Sequence, residues 1–219
     1  MSYFDPQYFK RKIKVNRVVS RKIQNKLLAW KLDKEYYDGH RDNGYGGFYY
    51  DGRWLKLLPR IIKKYKLKNN SKILDLGCKK GFIMNDFQKL LPGCEVWGIE
   101  DHQYPIKKSM SSIRSKIKKS NYYNIPFKNN YFDFVIGFSS IYKYHLMDVV
   151  RTLKEINRVS KKSFVTLAAY SNEEEKKIFE KWTLLGTTCL HKNEWKKLFN
   201  LIGYKGDYYF TTAKSLNLV

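Results

Sequence analysis

The sequence predicts a doubly wound α/β fold, in which a mostly parallel sheet carries helices on both faces. Two observations lead to this prediction. From residue 71 onward, short apolar runs alternate with segments whose apolar residues recur at helical spacing. The chain has 219 residues, 43% of them hydrophobic, so it can bury a sizeable core. Strands separated by helices run parallel, because each connection crosses back over the sheet.

The individual elements follow from the periodicity of the apolar residues. Strands are expected at residues 72–76, 95–100, 119–122, 131–140, 163–170 and 204–210. Helices are expected at residues 55–66, 82–91, 103–118, 146–159, 173–182 and 193–202. In such a fold, ligands bind outside the carboxyl ends of the parallel strands.

The first 70 residues are expected to extend the same domain, because no linker separates them from residues 71–219. Residues 10–31 carry nine basic side chains and no acidic one, with apolar residues at helical spacing. This pattern predicts a basic amphipathic helix. It could lie on an anionic surface, either nucleic acid or membrane. It could equally pack its apolar stripe on the domain and leave its lysines in water.

The composition limits the classes of protein to consider. No apolar run approaches the roughly 20 residues of a membrane span, and the first residues lack the features of a secretory signal. The three cysteines, Cys78, Cys94 and Cys189, have no metal-ligand spacing and are expected to be free thiols, so no metal site is predicted. These features favour a cytoplasmic protein. The sequence does not indicate its oligomeric state.

The net charge is strongly positive, with 43 Lys and Arg against 20 Asp and Glu, or +23. Such a charge favours an anionic partner. The excess occurs along the whole chain and is accompanied by abundant Lys, Asn, Ile and Tyr, which a compositional bias of the genome would also produce. Both explanations stay open.

The loop after the first predicted strand has the features of a ligand-binding turn. It runs from Asp75 through Gly77, Cys78 and Lys79 to Gly81 and opens a helix. Gly77 allows a sharp turn close to a ligand, and Gly81 allows close packing of helix on strand. The N-terminus of the helix offers free N–H groups to a carboxylate or phosphate.

A second acidic residue strengthens this interpretation. Glu100 ends the second strand, 19 residues after Gly81, where an acidic side chain can accept the hydroxyl protons of a ribose. Asp101 and His102 follow it at the rim. Asn121 ends the predicted third strand, from which it could pair with the edge of a base.

These motifs resemble the class I S-adenosylmethionine-dependent methyltransferases, which have a Rossmann-like fold. The resemblance covers residues 71 to about 170 and rests on ILDLGCKKG, VWGIE and NIPFKNNYFDFVIG. The flanking segments resemble a bacterial subgroup of small stand-alone enzymes. The resemblance implies that the glycine loop meets the methionine moiety and that Glu100 holds the ribose. It places Asn121 and Tyr122 near the adenine, and Ser139, after the fourth strand, is a further candidate cofactor-binding residue.

The sequence departs from this family at Lys79, where a Gly is most frequent. A lysine is expected to be tolerated there if its φ stays negative and its side chain points outward. It could approach the carboxylate of the cofactor or repel its sulfonium. It could also mark a chain that has lost catalysis.

Acceptor-side residues are expected in two regions. His145 and His191 follow strands at the carboxyl side of the sheet and are the candidate acid–base groups, although a surface role is common for histidine. The segment 35–54 is rich in glycine and tyrosine, which is typical of a lid. Its residues Tyr45, Tyr49, Tyr50 and Arg53 could shape an acceptor pocket, or some of them could anchor the segment to the core.

Three functions follow from these observations. The first is methylation of an O or N atom of a small molecule, with sugar-linked compounds among the candidates. The second is methylation of RNA or another macromolecule, which the charge favours. The third is a catalytically degenerate scaffold that binds the cofactor, which only Lys79 suggests.

Overall fold

The computed structural model describes residues 21–219, which form seven strands and eight α-helices. The strands are β1 (Lys72–Leu76), β2 (Glu95–Glu100), β3 (Ile117–Lys119), β4 (Phe134–Gly137), β5 (Ser163–Tyr170), β6 (Leu190–His191) and β7 (Asp207–Thr211). The helices are α1 (Ile23–Trp30), α2 (Lys34–Asp38), α3 (Trp54–Tyr65), α4 (Phe82–Leu90), α5 (Gln103–Lys107), α6 (Leu146–Val159), α7 (Glu173–Trp182) and α8 (Lys192–Ile202).

The sheet has the order β3-β2-β1-β4-β5-β6, and β7 also pairs with β5. Each of these pairs is parallel. In the register, Asp75 of β1 lies opposite Gly98 of β2 and Ile136 of β4. The carboxyl ends of the three central strands therefore meet at one edge of the sheet. The predicted doubly wound α/β fold is confirmed.

The core lies on both faces of the sheet, as alternation along the strands requires. Leu74 and Val135 belong to one buried cluster, which includes apolar residues of α6 and α8. Ile73 and Phe134 belong to the other, which includes apolar residues of α3 and α4. The helices thus shield both faces, and in such a fold ligands bind at the carboxyl edge of the strands.

Four predicted elements differ from the structure by three residues or more at one end. The last strand, predicted at 204–210, lies at Asp207–Thr211. The helix predicted over 103–118 ends at Lys107, because the Oγ of Ser109 donates to the carbonyl of Ile106 and competes with the helical backbone. The third strand lies at Ile117–Lys119 rather than 119–122. The fourth strand is confined to Phe134–Gly137, although 131–140 is apolar.

Only part of the predicted basic helix lies within the described residues. Residues 10–20 lie outside them, and within α1 Ile23 and Leu27 are each 63% exposed. Their apolar stripe therefore does not pack on residues 21–219. At the start of the predicted lid segment, α2 forms because Asp33 caps its first turn. No helix within residues 21–219 has the length and hydrophobicity to span a membrane.

Candidate active site

The glycine loop connects β1 to α4 at the carboxyl edge of the sheet. Gly77 and Gly81 both have a φ of +78°, which favours glycine. A Cβ on Gly77 would lie 2.3 Å from the Cβ of Ser140, and a Cβ on Gly81 would lie 2.1 Å from the Cδ1 of Ile113. Both positions therefore require glycine for space as well as for conformation. Cys78 lies between them and is buried.

The conformation of Lys79 contradicts the expectation that its φ is negative and its side chain points outward. Its φ is +54°, and its side chain turns inward, where Nζ donates to the carbonyl of Phe138 at 3.0 Å. Its backbone N–H donates to Oε2 of Glu100 at 3.0 Å. A left-handed conformation costs a non-glycine residue about 1–2 kcal/mol. The two hydrogen bonds offset this cost and hold the lysine across the end of the sheet.

The ammonium of Lys79 stays charged in this position. Burial opposes the charge, but the oxygens of Tyr45, Asp75 and Glu100 outweigh it and raise the pKa of Lys79 above its usual value. A positive charge therefore lies where the sequence predicts the methionine moiety of a cofactor.

Asp75 is the residue whose side chain most clearly lacks a partner. It is 1% exposed, and neither carboxylate oxygen has a hydrogen-bond partner among residues 21–219. Burial, opposed by the charge of Lys79 and assisted by that of Glu100, raises the pKa of Asp75 to about 7. A buried polar group without a partner is costly, so Asp75 is available to a donor or cation from a ligand.

Glu100 ends β2 with its carboxylate 1% exposed and fully engaged. Oε1 accepts the backbone N–H groups of Asp101 at 3.0 Å and of His102 at 3.1 Å. Oε2 accepts the N–H of Lys79 and, at 3.3 Å, the hydroxyl of Tyr122. A carboxylate has about four acceptor positions, and all are used. A ribose hydroxyl would therefore replace the long contact to Tyr122 first.

Asp101 organises the neighbouring polar cluster. Its Oδ1 lies 2.6 Å from Nδ1 of His102 and 2.7 Å from Nζ of Lys143, and the hydroxyl of Tyr144 donates to Oδ2. Burial opposes ionisation of Asp101, but the hydrogen bonds from His102 and the charge of Lys143 hold its pKa well below the usual range. For His102, burial is likewise outweighed by Asp101, which raises the pKa of His102 to about 9. The positive charge of Lys143 thus balances the negative charge of this cluster, as a bound metal ion would do.

A small cavity of about 40 Å³ adjoins Glu100, and we call it the inner cavity. Tyr122 and Lys143 line it from the sheet side, and Leu32, Tyr36 and Tyr37 cover it from the front of the chain. Small-molecule sites usually measure about 300–1,000 Å³. The donors and acceptors around the inner cavity suit an adenosyl amino acid. Such a ligand is larger than the cavity, so Lys79 and the covering residues would have to move for it to bind.

A larger cavity of about 270 Å³ lies beside it, and we call it the outer cavity. It is lined in part by Arg21, Arg41, Tyr45, Arg53 and Trp182. The residues common to both cavities are Tyr36, Lys79, Ser139, Tyr142 and Leu185. A single layer of side chains thus separates the two spaces.

The predicted acceptor residues of the lid fall into two groups. Tyr45 and Arg53 line the outer cavity. Tyr49 and Tyr50 are absent from the lining of both cavities. Tyr49 is 72% exposed, whereas the hydroxyl of Tyr50 donates to Asp86 at 2.5 Å and accepts from Lys89 at 2.9 Å. Tyr50 is therefore an anchor of the lid segment.

Nine further predicted residues line neither cavity. Six of them belong to the loops described above: Asp75, Gly77, Cys78, Gly81, Asp101 and His102. The other three lie apart from the site. His145 is exposed at the start of α6, and Asn121 is exposed in the loop after β3. His191 precedes α8, where Nδ1 accepts from the N–H of Asn193 at 3.2 Å and Nε2 lies 3.0 Å from the carbonyl oxygen of Ser171. Both ring nitrogens of His191 are thus engaged, Nδ1 in capping α8 and Nε2 with the Ser171 carbonyl. The catalytic roles of the histidines and the binding role of Asn121 stay predictions.

Sequence reasoning missed several residues at the site. Tyr36, Tyr142 and Leu185 separate the cavities, and Lys143 binds Asp101. Tyr142 and Lys143 belong to the run SSIYKYH, directly after β4, where the fold places ligand-binding groups, and that position could have signalled them. Tyr36 and Leu185 carry no comparable signal.

Known proteins share this fold and its motifs. Residues 74–164 match the family model of a methyltransferase domain. The YcgJ protein of Bacillus subtilis has a similar structure, with a TM-score of 0.55 and 16% identity over 69% of this chain and 68% of that protein. A chain of the Haloferax volcanii complex between the methyltransferase activator Trm112 and a methyltransferase gives a TM-score of 0.51 and 18% identity, over 70% and 73% of the two chains. At these identities, both similarities show the fold alone.

Two curated relatives are similar in sequence. An uncharacterized methyltransferase of Schizosaccharomyces pombe is 34% identical over 118 residues, which cover 47% of this chain and 42% of the relative. An uncharacterized protein of Methanocaldococcus jannaschii is 27% identical over 164 residues, 75% of this chain and 61% of the relative. This chain therefore spans less than two thirds of either relative.

The sheet order, the glycine loop and the acid at the end of β2 define a class I methyltransferase domain. The family match over β1 to β5 agrees with that definition. Over residues 74–164, the chain thus has the fold and the motifs of the class I S-adenosylmethionine-dependent methyltransferases.

Proposed function

We propose that this protein transfers a methyl group from S-adenosylmethionine to an O or N atom of a small molecule, with sugar-linked compounds among the candidates. The observation that carries the proposal is the outer cavity. Its volume of about 270 Å³ suits a small acceptor, and only one layer of side chains separates it from Glu100. Methyl transfer is an in-line displacement in which the reacting atoms approach to about 3–3.5 Å, so the side chains between the cavities would have to move aside when donor and acceptor are bound.

The cofactor would be held by groups that the loop already presents. The carboxylate of Asp75 faces no partner among residues 21–219 and would accept a donor or positively charged group of the methionine moiety. Glu100 would accept the ribose hydroxyls in place of Tyr122. When bound, the cofactor supplies an activated methyl group on a sulfonium. The aromatic side chains Tyr36 and Tyr142 at the boundary would exclude water and favour the positive charge by cation–π contact.

Calorimetry with S-adenosylhomocysteine tests the cofactor site directly. We expect measurable binding to the wild-type protein and a loss of about 1–3 kcal/mol in Glu100→Ala, the cost of a charged hydrogen bond in a pocket. Glu174→Ala, an exposed residue at the start of α7, is the matched control. Equal affinities in the wild type and a folded Glu100→Ala would remove this support. A screen of small hydroxyl and amino compounds with labelled cofactor then identifies the acceptor.

The second candidate function is methylation of RNA. It is supported by the net charge of +23 and by α1, where Lys26 and the flanking Lys22 and Lys31 accompany the exposed Ile23 and Leu27. Binding that depends only on charge falls steeply between low and physiological salt. RNA binding that persists at physiological salt would favour this candidate over the first.

A further inference from the structure

The walls of the outer cavity carry positive charge without an opposing acid. Arg21, Arg41, Arg53 and Lys79 line it, and no Asp or Glu is among its lining residues. Two of these cations have carboxylate partners outside the lining, since Arg21 contacts Asp42 and Arg53 contacts Asp51. Within residues 21–219, Arg41 and Lys79 form no ion pair. Because the charges of Asp75 and Glu100 act on Lys79, the uncompensated positive charge of the cavity is chiefly that of Arg41.

Arg21 provides independent evidence for a missing partner. Its side chain is 6% exposed, and its Nε has no hydrogen-bond partner among residues 21–219. Burial and the nearby charge of Arg41 lower the pKa of Arg21, and Asp42 only partly opposes this. Leaving a buried N–H donor unpaired costs about 1–3 kcal/mol, and an oxygen anion in the cavity would remove that cost.

The remaining walls are mostly apolar and aromatic, with Ser139, Thr183 and Thr211 among them. Tyr45, Trp54, Phe138 and Trp182 all line the cavity. Aromatic walls bury an apolar or ring-shaped body, whereas the guanidinium groups bind planar oxyanions. The combination selects a molecule that has both parts.

We infer that the outer cavity binds an acceptor whose apolar or aromatic body carries an oxyanion, either a carboxylate or a phosphate. This inference rests on the proposed function and names the substrate class of the same site. Lys79 lies at the boundary with the inner cavity, so the acceptor atom would approach the cofactor there while the oxyanion contacts the arginines.

The test compares three probes that share a ring and differ in charge. Calorimetry with benzoate, phenyl phosphate and neutral benzamide is run at physiological ionic strength, which screens the general surface charge. We expect at least one anionic probe to bind and benzamide to bind about tenfold more weakly or not at all. The better of benzoate and phenyl phosphate identifies the oxyanion.

Variants localise the binding. Arg41→Gln is expected to weaken the anionic probe about tenfold. Arg53→Gln should also weaken it, and its half-exposed side chain makes a folding defect less of a concern. Lys161→Gln, an exposed residue at the far side of β5, removes the same charge and should have no effect.

Equal binding of benzamide and benzoate, or equal losses in Lys161→Gln and Arg41→Gln, would overturn the inference. Calorimetry with S-adenosylhomocysteine on the same samples separates the two proposals. Its failure to bind would remove the proposed methyl transfer, while the probe results would still report on the cavity.

Discussion

The ammonium of Lys80 lies 2.6 Å from Oδ1 and 2.8 Å from Oδ2 of Asp38, and this ion pair fastens α2 to the glycine loop. Lys80 also donates to the carbonyl of Phe48 at 3.0 Å, and the hydroxyl of Tyr104 donates to Asp38 at 2.8 Å. Two adjacent lysines thus shape the candidate cofactor site. The side chain of Lys79 lines the inner cavity, and Lys80 holds α2, which helps to cover it.

Breaking this pair should loosen the cover. Asp38→Asn leaves the ammonium of Lys80, whose side chain is 7% exposed, without its counter-charge. Removing one partner of a buried pair costs about 3–5 kcal/mol, so the melting temperature should fall. Hydrogen exchange should accelerate at amides 36–48 before it changes in β1 and β4. Asp148→Asn, which breaks an exposed pair with Arg151, is the matched control and should leave exchange at 36–48 unaltered.

Replacing Lys79 should separate steric from electrostatic effects at the cofactor site. Lys79→Met keeps much of the side-chain volume but removes the ammonium. Because like charges repel in a poorly solvated site, S-adenosylmethionine should gain about tenfold in affinity, or about 1.4 kcal/mol. S-adenosylhomocysteine lacks the sulfonium charge and should gain less. If both ligands instead bind more weakly to Lys79→Met, the lysine contacts the cofactor carboxylate.

The features of the fold and site that a local sequence pattern determines could be predicted from the sequence. The central strands follow from apolar runs, and the roles of Gly77 and Gly81 follow from the turn between strand and helix. Glu100 lies at the carboxyl edge because β2 ends there. Each of these predictions depends on neighbours in the chain or on the parallel register, which the alternation of elements already implies.

The rest depends on contacts between distant segments. The sequence cannot show that Lys79 turns inward, because the hydrogen bond from its Nζ to Phe138 spans 59 residues. The cover over Glu100 likewise comes from Tyr36 and Tyr37, far away in the chain. The helix predicted over 103–118 ends early because the side chain of Ser109 competes for its backbone, an effect that apolar spacing does not register.

Asp75 should make the stability of the ligand-free protein depend on pH. Its folded pKa of about 7 exceeds the unfolded value of 3.8, so stability is full below the unfolded pKa and is lost as the pH rises through 7. Asp75→Asn removes the buried charge and should stabilise the protein at pH 8 by a few kcal/mol, at about 1.4 kcal/mol per unit of pKa difference. Near pH 4 the two proteins should melt alike. A stabilisation that is the same at both values would contradict the raised pKa.

The ionisation of His102 should make the stability of the protein depend on pH, and replacing His102 should remove that dependence. Its folded pKa of about 9 lies above its unfolded value of 6.5, so its stabilising effect is complete below 6.5 and is lost as the pH rises through 9. The side chain is 33% exposed, which reduces the effect to about 1 kcal/mol after screening. His102→Gln should flatten thermal stability between those values. His145→Gln, at a histidine without an ion pair among residues 21–219, should retain the wild-type slope.

The lid segment 44–54 should respond to the cofactor together with α2. The N–H of Tyr45 donates to the carbonyl of Tyr36 at 2.9 Å, and that of Gly47 donates to the carbonyl of Tyr37 at 3.2 Å, so the two segments are joined by their backbones. A ligand beside Glu100 contacts α2 first, because Tyr36 and Tyr37 line the inner cavity. Once the cover closes on S-adenosylhomocysteine, exchange at the amides of Tyr45 and Gly47 should slow together. Tyr49→Ala, at an exposed side chain, should preserve this protection, whereas Tyr45→Ala should weaken it. Exchange at Tyr45 and Gly47 that is equally fast with and without the ligand would make the segment a fixed anchor of the fold.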